Sequence, residues 1–139
     1  MKWIALVLLT LFPIASSAES YTLIFESKCS STGERLEFSC KREPTFSGQD
    51  LGIFRNGEKW YGKEILKTLK GSKENVFPLE LIKQDVSVMV FNYPVLYSGI
   101  ATIVLIKKTG RFYFSEISYS EALYAQGATI EDGRFTVGK

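Results

Sequence analysis

Apolar and polar residues alternate over much of the chain, which is the pattern of a strand with one buried face. Residues 100–106 and 112–119 are rich in β-branched and aromatic side chains, and a Gly-containing segment, residues 107–110, joins them. This arrangement predicts a β-hairpin. Residues 85–93 alternate in the same way and predict another strand, which Pro94 is expected to end because proline has no backbone N–H to donate.

The dipeptide Asn56-Gly57 is the strongest signal for a tight turn, because both residues tolerate the positive φ angles of a type I′ turn. A hairpin centred on this dipeptide would place Ile53 opposite Trp60. That apolar pair would bury one face of the hairpin.

The dipeptide Asp132-Gly133 predicts a further hairpin near the C-terminus, between residues 128–130 and residues 134–137. If residues 134–137 were unpaired in the monomer, they could add a strand to another chain. A structural or assembly subunit is therefore one alternative function.

Residues 63–70 break the alternation, because Ile65, Leu66 and Leu69 stand at helical spacing and Gly71 follows them. A short helix or helical corner is expected there. Residues 76–82 are ambiguous, since Pro78 would remove a hydrogen bond from a central strand.

These segments predict an all-β fold, or a β-rich fold with one short helix, made of about seven to nine short strands. A small antiparallel barrel and a sandwich both satisfy the pattern, and a barrel manages its edges better. Nothing divides residues 19–139, so we expect one domain after residue 18.

Residues 1–18 have the layout of a secretory signal peptide. Lys2 supplies a positive charge, residues 4–14 are almost wholly apolar, and Ser16 and Ala18 suit a signal peptidase. The apolar run is too short to span a bilayer, and no later segment is long and apolar enough to do so. We therefore expect an exported protein without a transmembrane segment after cleavage, in the periplasm or, alternatively, released outside the cell.

The only two cysteines, Cys29 and Cys40, fall in the predicted exported part, where an oxidising compartment favours a disulfide. Strand alternation assigns both sulfurs to the apolar face that also carries Phe25. A tight turn at Thr32-Gly33 would place Cys40 opposite Phe25, too far from Cys29 for a bond. A wider loop with a bend near Cys29 is therefore expected, and unbonded thiols are the alternative.

Composition argues against several chemistries. Seventeen Lys and Arg against fifteen Asp and Glu give a net charge of +2, too balanced for nucleic-acid binding, and there is no His for a catalytic triad or a metal site. No phosphate-binding glycine motif occurs, so no cofactor is expected. Glu116 and Glu121 could form a pair of catalytic carboxylates, but solvated surface acids are the simpler interpretation. We expect that the protein is not an enzyme.

Aromatic residues are the better indication of function, because they combine flat apolar area with a polar tip and are enriched in binding surfaces. The candidate binding surface consists of Trp60, Tyr61, Tyr97, Ser98, Tyr113 and Tyr119. Tyr113 alternates with Phe112 and Phe114, which indicates that the strand has one apolar and one half-wet face.

The Ser98-Gly99 dipeptide gives the chain a broad similarity to small periplasmic lysozyme inhibitors. Those inhibitors are exported, β-rich and disulfide-bearing, and they plug an enzyme cleft with a Ser-Gly loop. The similarity is confined to this dipeptide, because Ile100, Ala101 and Thr102 follow where such inhibitors carry polar or aromatic contacts. It does not indicate membership of that family.

The predicted function is non-catalytic binding of a small apolar ligand, a polymer or an envelope protein. An inhibitor of a cell-wall-degrading enzyme, a hydrolase that uses carboxylates alone, and an assembly subunit are the alternatives. A barrel with a cavity would favour a small ligand, and a filled interior with an exposed aromatic loop would favour a protein partner.

Overall fold

The computed structural model describes residues 19–32, 38–42, 51–95, 99–120 and 125–138, and the predicted signal peptide lies outside them. These residues form nine antiparallel strands, and no helix occurs among them. The strands are β1 (Ser20–Thr32), β2 (Ser39–Arg42), β3 (Leu51–Asn56), β4 (Lys59–Thr68), β5 (Gly71–Gln84), β6 (Val88–Val95), β7 (Gly99–Ile106), β8 (Arg111–Ser120) and β9 (Ala125–Val137).

Eight of the nine strands close into a barrel, which decides between the two predicted architectures. Strands β3 to β9 follow one another as an up-and-down meander, and β1 pairs with β3 on one edge and with β9 on the other. Eight strands thus form the closed wall. Strand β2 is the extra strand, and it extends the β3 edge of β1 by pairing with residues 27–30.

One end of the barrel carries three short turns, at residues 57–58, 85–87 and 107–110. We call it the turn end, and the opposite end the far end. The core fills the turn-end half. Its members alternate along the strands and are Tyr21, Leu23, Leu51, Ile53, Trp60, Leu79, Met89, Phe91, Ala101, Ile103, Leu105, Phe112, Phe114 and Phe135.

The hairpin predicted over residues 100–119 is confirmed as β7 and β8. Phe112 and Phe114 are 0% and 7% exposed, whereas Tyr113 between them is 48% exposed, so the strand has one apolar and one half-wet face as expected. Gly110 closes the turn with φ of 64°.

The predicted helix over residues 63–70 is wrong. Strand β4 runs to Thr68, a turn follows, and β5 begins at Gly71, whose φ is 123°. Ile65 is 46% exposed and Leu69 is fully exposed, so these apolar residues bury no common face. Their helical spacing is outweighed by pairing of β4 with β5 along its whole length.

The hairpin at Asn56-Gly57 exists, but its predicted register is wrong by two residues. Asn56 pairs with Lys59, so Gly57 and Glu58 form the loop, and Gly57 takes the positive φ of 63°. Ile53 consequently faces Gly62 rather than Trp60. A shift of two keeps every side chain on its expected face, because strand side chains repeat with period two.

The predicted hairpin at Asp132-Gly133 is also wrong, because β9 runs unbroken through both residues. A Cβ atom at Gly133 would lie 2.0 Å from the backbone oxygen of Ile24, so glycine here permits the close approach of β1. Residues 134–137 are paired with β1, which removes the observation that would have supported an assembly subunit.

Neither proline interrupts its strand as expected. Pro94 lies within β6 and faces Ile100, one residue before the strand ends. Pro78 lies within β5 and faces Tyr61 of β4. Pairing of β5 with β6 stops at Glu80, so Pro78 has a partner strand on one side only.

The disulfide between Cys29 and Cys40 is confirmed, with the two residues directly opposite each other and their Cα atoms 4.0 Å apart. The loop is wider than a tight turn, as predicted. The assigned face is wrong, however. A bulge between Phe25 and Ser27 inserts one residue, so the alternation reverses and Cys29 faces outward opposite half-exposed Ile130.

Candidate functional site

In the far-end half of the barrel, the described side chains leave an unfilled space in the interior. This space is a cavity of about 240 Å³, which we call the inner cavity. Six of the eight wall strands contribute to its lining, which is mixed polar and aromatic. The lining residues are Phe25, Lys28, Leu51, Glu64, Tyr93, Phe114, Glu116, Thr129 and Glu131.

Two of its carboxylates follow directly from strand alternation. Glu116 stands two residues after buried Phe114, and Glu64 stands two residues after buried Gly62, so both continue the inward-facing series of their strands. Asn75 on β5 donates a 2.8 Å hydrogen bond from Nδ2 to Oε1 of Glu64, which orients that side chain.

The third carboxylate is paired with the cavity's lysine. Lys28 lies directly opposite Glu131, and its Nζ is 3.2 Å from Oε1 of Glu131. Lys28 faces inward only because the bulge reverses the alternation of β1. Burial raises the pKa of Glu131 above its usual value, nearby Glu116 raises it further, and Lys28 opposes both effects.

Tyr93 forms the part of the wall between the carboxylates and β5. Its ring centroid is 4.6 Å from that of Phe77, and it faces buried Ala101 on β7. Burial raises the pKa of the Tyr93 hydroxyl well above its usual range, and the charges of Glu116, Glu64 and Glu131 add to the rise. The hydroxyl is therefore neutral at physiological pH and can donate a hydrogen bond.

A second cavity, of about 330 Å³, opens on the barrel wall where β5 and β6 separate. We call it the seam groove. It is lined by Pro78, Leu79, Glu80, Asn92, Tyr93, Pro94, Gly99 and Ile100. Tyr93 is thus a wall of both cavities.

The predicted aromatic binding surface is not one surface. Trp60 is only 4% exposed and packs on Tyr21 and Phe91 in the core, so it presents no surface. Tyr61 stacks on Phe54 on the outside of β4, with ring centroids 5.6 Å apart.

The remaining members are divided among other places. Tyr113 is exposed on the outside of β8, four strands from β4 in the sheet order. Tyr119 lies in β8 opposite Gln126. Tyr97 and Ser98, including the dipeptide on which the similarity to lysozyme inhibitors rests, lie outside the described residues, as does Glu121.

The interpretation of Glu116 as a surface acid is wrong, because it is half-buried and lines the inner cavity. Extending the inward series beyond the apolar residues of each strand would have found Glu116 and Glu64 in the sequence. No such signal identifies Lys28. Its side chain faces inward because of a bulge that the local sequence does not predict.

Comparison with family models, with curated proteins and with solved structures gives no match to this chain. Within the described ranges there is no helix that could cross a bilayer, and no group of three or more Cys, Asp or Glu side chains that could hold a metal ion.

Proposed function

We propose that this protein is a non-catalytic binding protein that takes a small, positively charged ligand in the inner cavity. The observation that carries the proposal is a space that the described residues leave within the barrel, lined by aromatic residues, by three carboxylates and by one ammonium group. Small-ligand sites commonly combine an enclosed apolar wall with a few converging polar groups.

The charge of the cavity indicates the sign of the ligand. Glu64, Glu116 and Glu131 against Lys28 leave an excess of negative charge among the described lining residues when all four are ionised. Carboxylates removed from water are stabilised by an opposite charge. A ligand ammonium group would provide that charge, and the faces of Phe114 and Tyr93 would add cation–π attraction.

A hydrolase that uses only carboxylates is the second candidate, because Glu131 has a raised pKa and Glu116 lines the same cavity. The size of the cavity favours a small ligand over a polymer, because about 240 Å³ is at the small end of ligand pockets. Assays with chromogenic glycosides should give no turnover.

We further propose the periplasm as the site of action, with extracellular release as the alternative, on the layout of residues 1–18 and the Cys29–Cys40 disulfide. The alternative partner that we propose is an envelope protein, bound through residues 97–99. A protein–protein complex with a cell-wall-degrading enzyme would support that inhibitor alternative.

An NMR titration with propylamine at pH 7 tests the proposed function. Addition should shift backbone amide signals of residues around the inner cavity and leave those of the turn end unchanged. Glu116→Gln should weaken binding by about fivefold to tenfold, because it removes one carboxylate from a partly desolvated site. Glu58→Gln, in the exposed turn, is the matched control and should bind as the wild type does. The proposal would be contradicted if propylamine caused no shifts around the inner cavity, or if Glu116→Gln and Glu58→Gln bound propylamine equally well.

A further inference from the structure

The separation of β5 and β6 has a cause in the sequence. Glu80 faces Asn92 in the last pair of this ladder, so the same register would place Pro78 opposite Pro94. Neither proline has an N–H to donate, and the ladder therefore cannot continue between them. The wall opens at this point into the seam groove.

The seam groove differs from the inner cavity in chemistry. Most of its lining is apolar, from Pro78, Leu79, Pro94 and Ile100, and Ile100 is 50% exposed on the outside of β7. The inner cavity, in contrast, is lined mainly by polar atoms of carboxylates and Lys28. Tyr93 lines both spaces, so the two spaces are neighbours across this residue.

Resting on the proposed function, we propose that the ligand is a cationic amphiphile that occupies both spaces. Its ammonium group lies in the inner cavity among Glu64, Glu116 and Glu131, and its alkyl chain passes Tyr93 into the seam groove. Charge complementarity sets the direction, because three of the four carboxylates that line the two spaces are in the inner cavity, with only Glu80 in the groove, and the groove lining is the more apolar. The combined volume of the two spaces falls within the range usual for ligand sites.

Tyr93 has a defined part in this arrangement. Tyr93 lines the inner cavity together with the three carboxylates, and its ring, 4.6 Å from that of Phe77, offers a flat surface to the first carbons of the chain. It is a binding residue with contacts to both parts of the ligand.

The test compares three probes at pH 7, each below its micelle concentration: propylamine, octylamine and octanoate. Octylamine should bind at least about tenfold more tightly than propylamine, because burial of each methylene from water is favourable. Octanoate, which has a similar chain and the opposite charge, should bind much more weakly than octylamine.

Two variants on β7 locate the chain. Ile100→Ser should reduce the preference for octylamine by about fivefold while leaving propylamine unchanged, since it removes apolar area from the groove alone. Val104→Ser is the control, because this half-buried residue lies on the outer face of the same strand outside the groove.

The outcomes separate the two proposals. The amphiphile inference is overturned, while cation binding stands, if propylamine and octylamine bind equally tightly. It is also overturned if Ile100→Ser and Val104→Ser change the preference for octylamine by the same factor. If octanoate binds as tightly as octylamine, or if neither amine binds, the proposed function itself is overturned, and the inference with it.

Discussion

The Lys28 ammonium and the Glu131 carboxylate meet on the inner side of the barrel wall, with 3.2 Å between Nζ and Oε1. The two residues are directly opposite on β1 and β9, one strand position beyond the bulge at Phe25/Ser27. Without the inserted residue, Lys28 would point to solvent and Cys29 would point inward. A single bulge therefore decides which side chains line the inner cavity and which form the disulfide.

Glu131 should make the stability of the protein depend on pH. Its pKa in the folded protein lies above the usual 4.5, chiefly because of burial. The folded state therefore keeps this proton over a range in which the unfolded chain has lost it. The stabilisation is fully present below about pH 4.5 and is lost as the pH rises through the folded-state pKa.

Glu131→Gln should flatten this pH dependence, because an amide does not titrate. Urea unfolding followed at several pH values gives the measurement. Trp60 is the only tryptophan after residue 18, and its buried position makes its fluorescence a suitable probe. The exposed turn variant Glu58→Gln should keep the wild-type profile; equal profiles for both variants would be evidence against the raised pKa.

Gly133→Ala should destabilise the barrel strongly. The added Cβ would lie 2.0 Å from the backbone oxygen of Ile24 and 2.8 Å from the Phe112 ring, and neither the wall nor the core can give way freely. We expect a loss of about 2–3 kcal/mol in the free energy of unfolding.

Gly127→Ala on the same strand is the control, since among the described atoms the nearest to its Cβ would be Ser118 Oγ, at 3.4 Å. That variant should change the free energy of unfolding by less than about 1 kcal/mol, because the contact is near ordinary van der Waals distance. Comparable losses in the two variants would show that β1 does not approach β9 as closely as described.

Arg111 ties the bulge to β8 and β9. Its guanidinium lies 2.8 Å from Oε2 of Glu26, the residue inserted at the bulge, and also binds Asp132, which accepts a hydrogen bond from Ser27. Arg111→Met should cost about 1 kcal/mol, because the group is partly exposed and its ion pairs are screened.

The loss should shrink as salt is raised from about 0.1 M to about 1 M, where the Debye length falls to about 3 Å. Lys108→Met removes a neighbouring exposed charge in the turn and should have little effect at either salt concentration. A loss in Arg111→Met that does not respond to salt would point to packing of its alkyl stem instead.

The disulfide should contribute about 3 kcal/mol, because it closes a loop with a sequence separation of 11. The double variant Cys29→Ser/Cys40→Ser should lose this amount in urea unfolding under non-reducing conditions. A reductant should destabilise the wild type by a similar amount and leave the double variant unchanged. If a reductant leaves the free energy of unfolding of the wild type unchanged, the disulfide does not make this contribution.

Local patterns predicted much of the strand content. Alternation over residues 100–119 located β7, β8 and their inward Phe112 and Phe114, because each of those strands buries one face along its whole length. The failures share one cause. Each wrong prediction depends on neighbours in the sequence, whereas pairing with partner strands decides the conformation. This holds for residues 63–70, Asn56-Gly57 and Asp132-Gly133.

The candidate site was less accessible to sequence reasoning than the fold. Glu64 and Glu116 are more than fifty residues apart in the sequence. They come together only because β4 and β8 face each other across the barrel. The predicted aromatic binding surface depends on residue type alone. The structure places Trp60 in the core and Tyr61 on the outside of the wall. Tyr93 alone of the tyrosines lines both cavities among the described residues.

By itself, the sequence determined that the chain forms antiparallel strands with one apolar face, because side-chain alternation and β-branched residues are local properties. It favoured a disulfide between Cys29 and Cys40, which the structure confirms. Only the tertiary structure decided that the sheet closes through β1 and β9, that a bulge turns Lys28 inward, and that Pro78 and Pro94 line a groove where β5 and β6 separate. Closure and register depend on which distant strands pair, and that choice is made by the whole barrel rather than by any one segment.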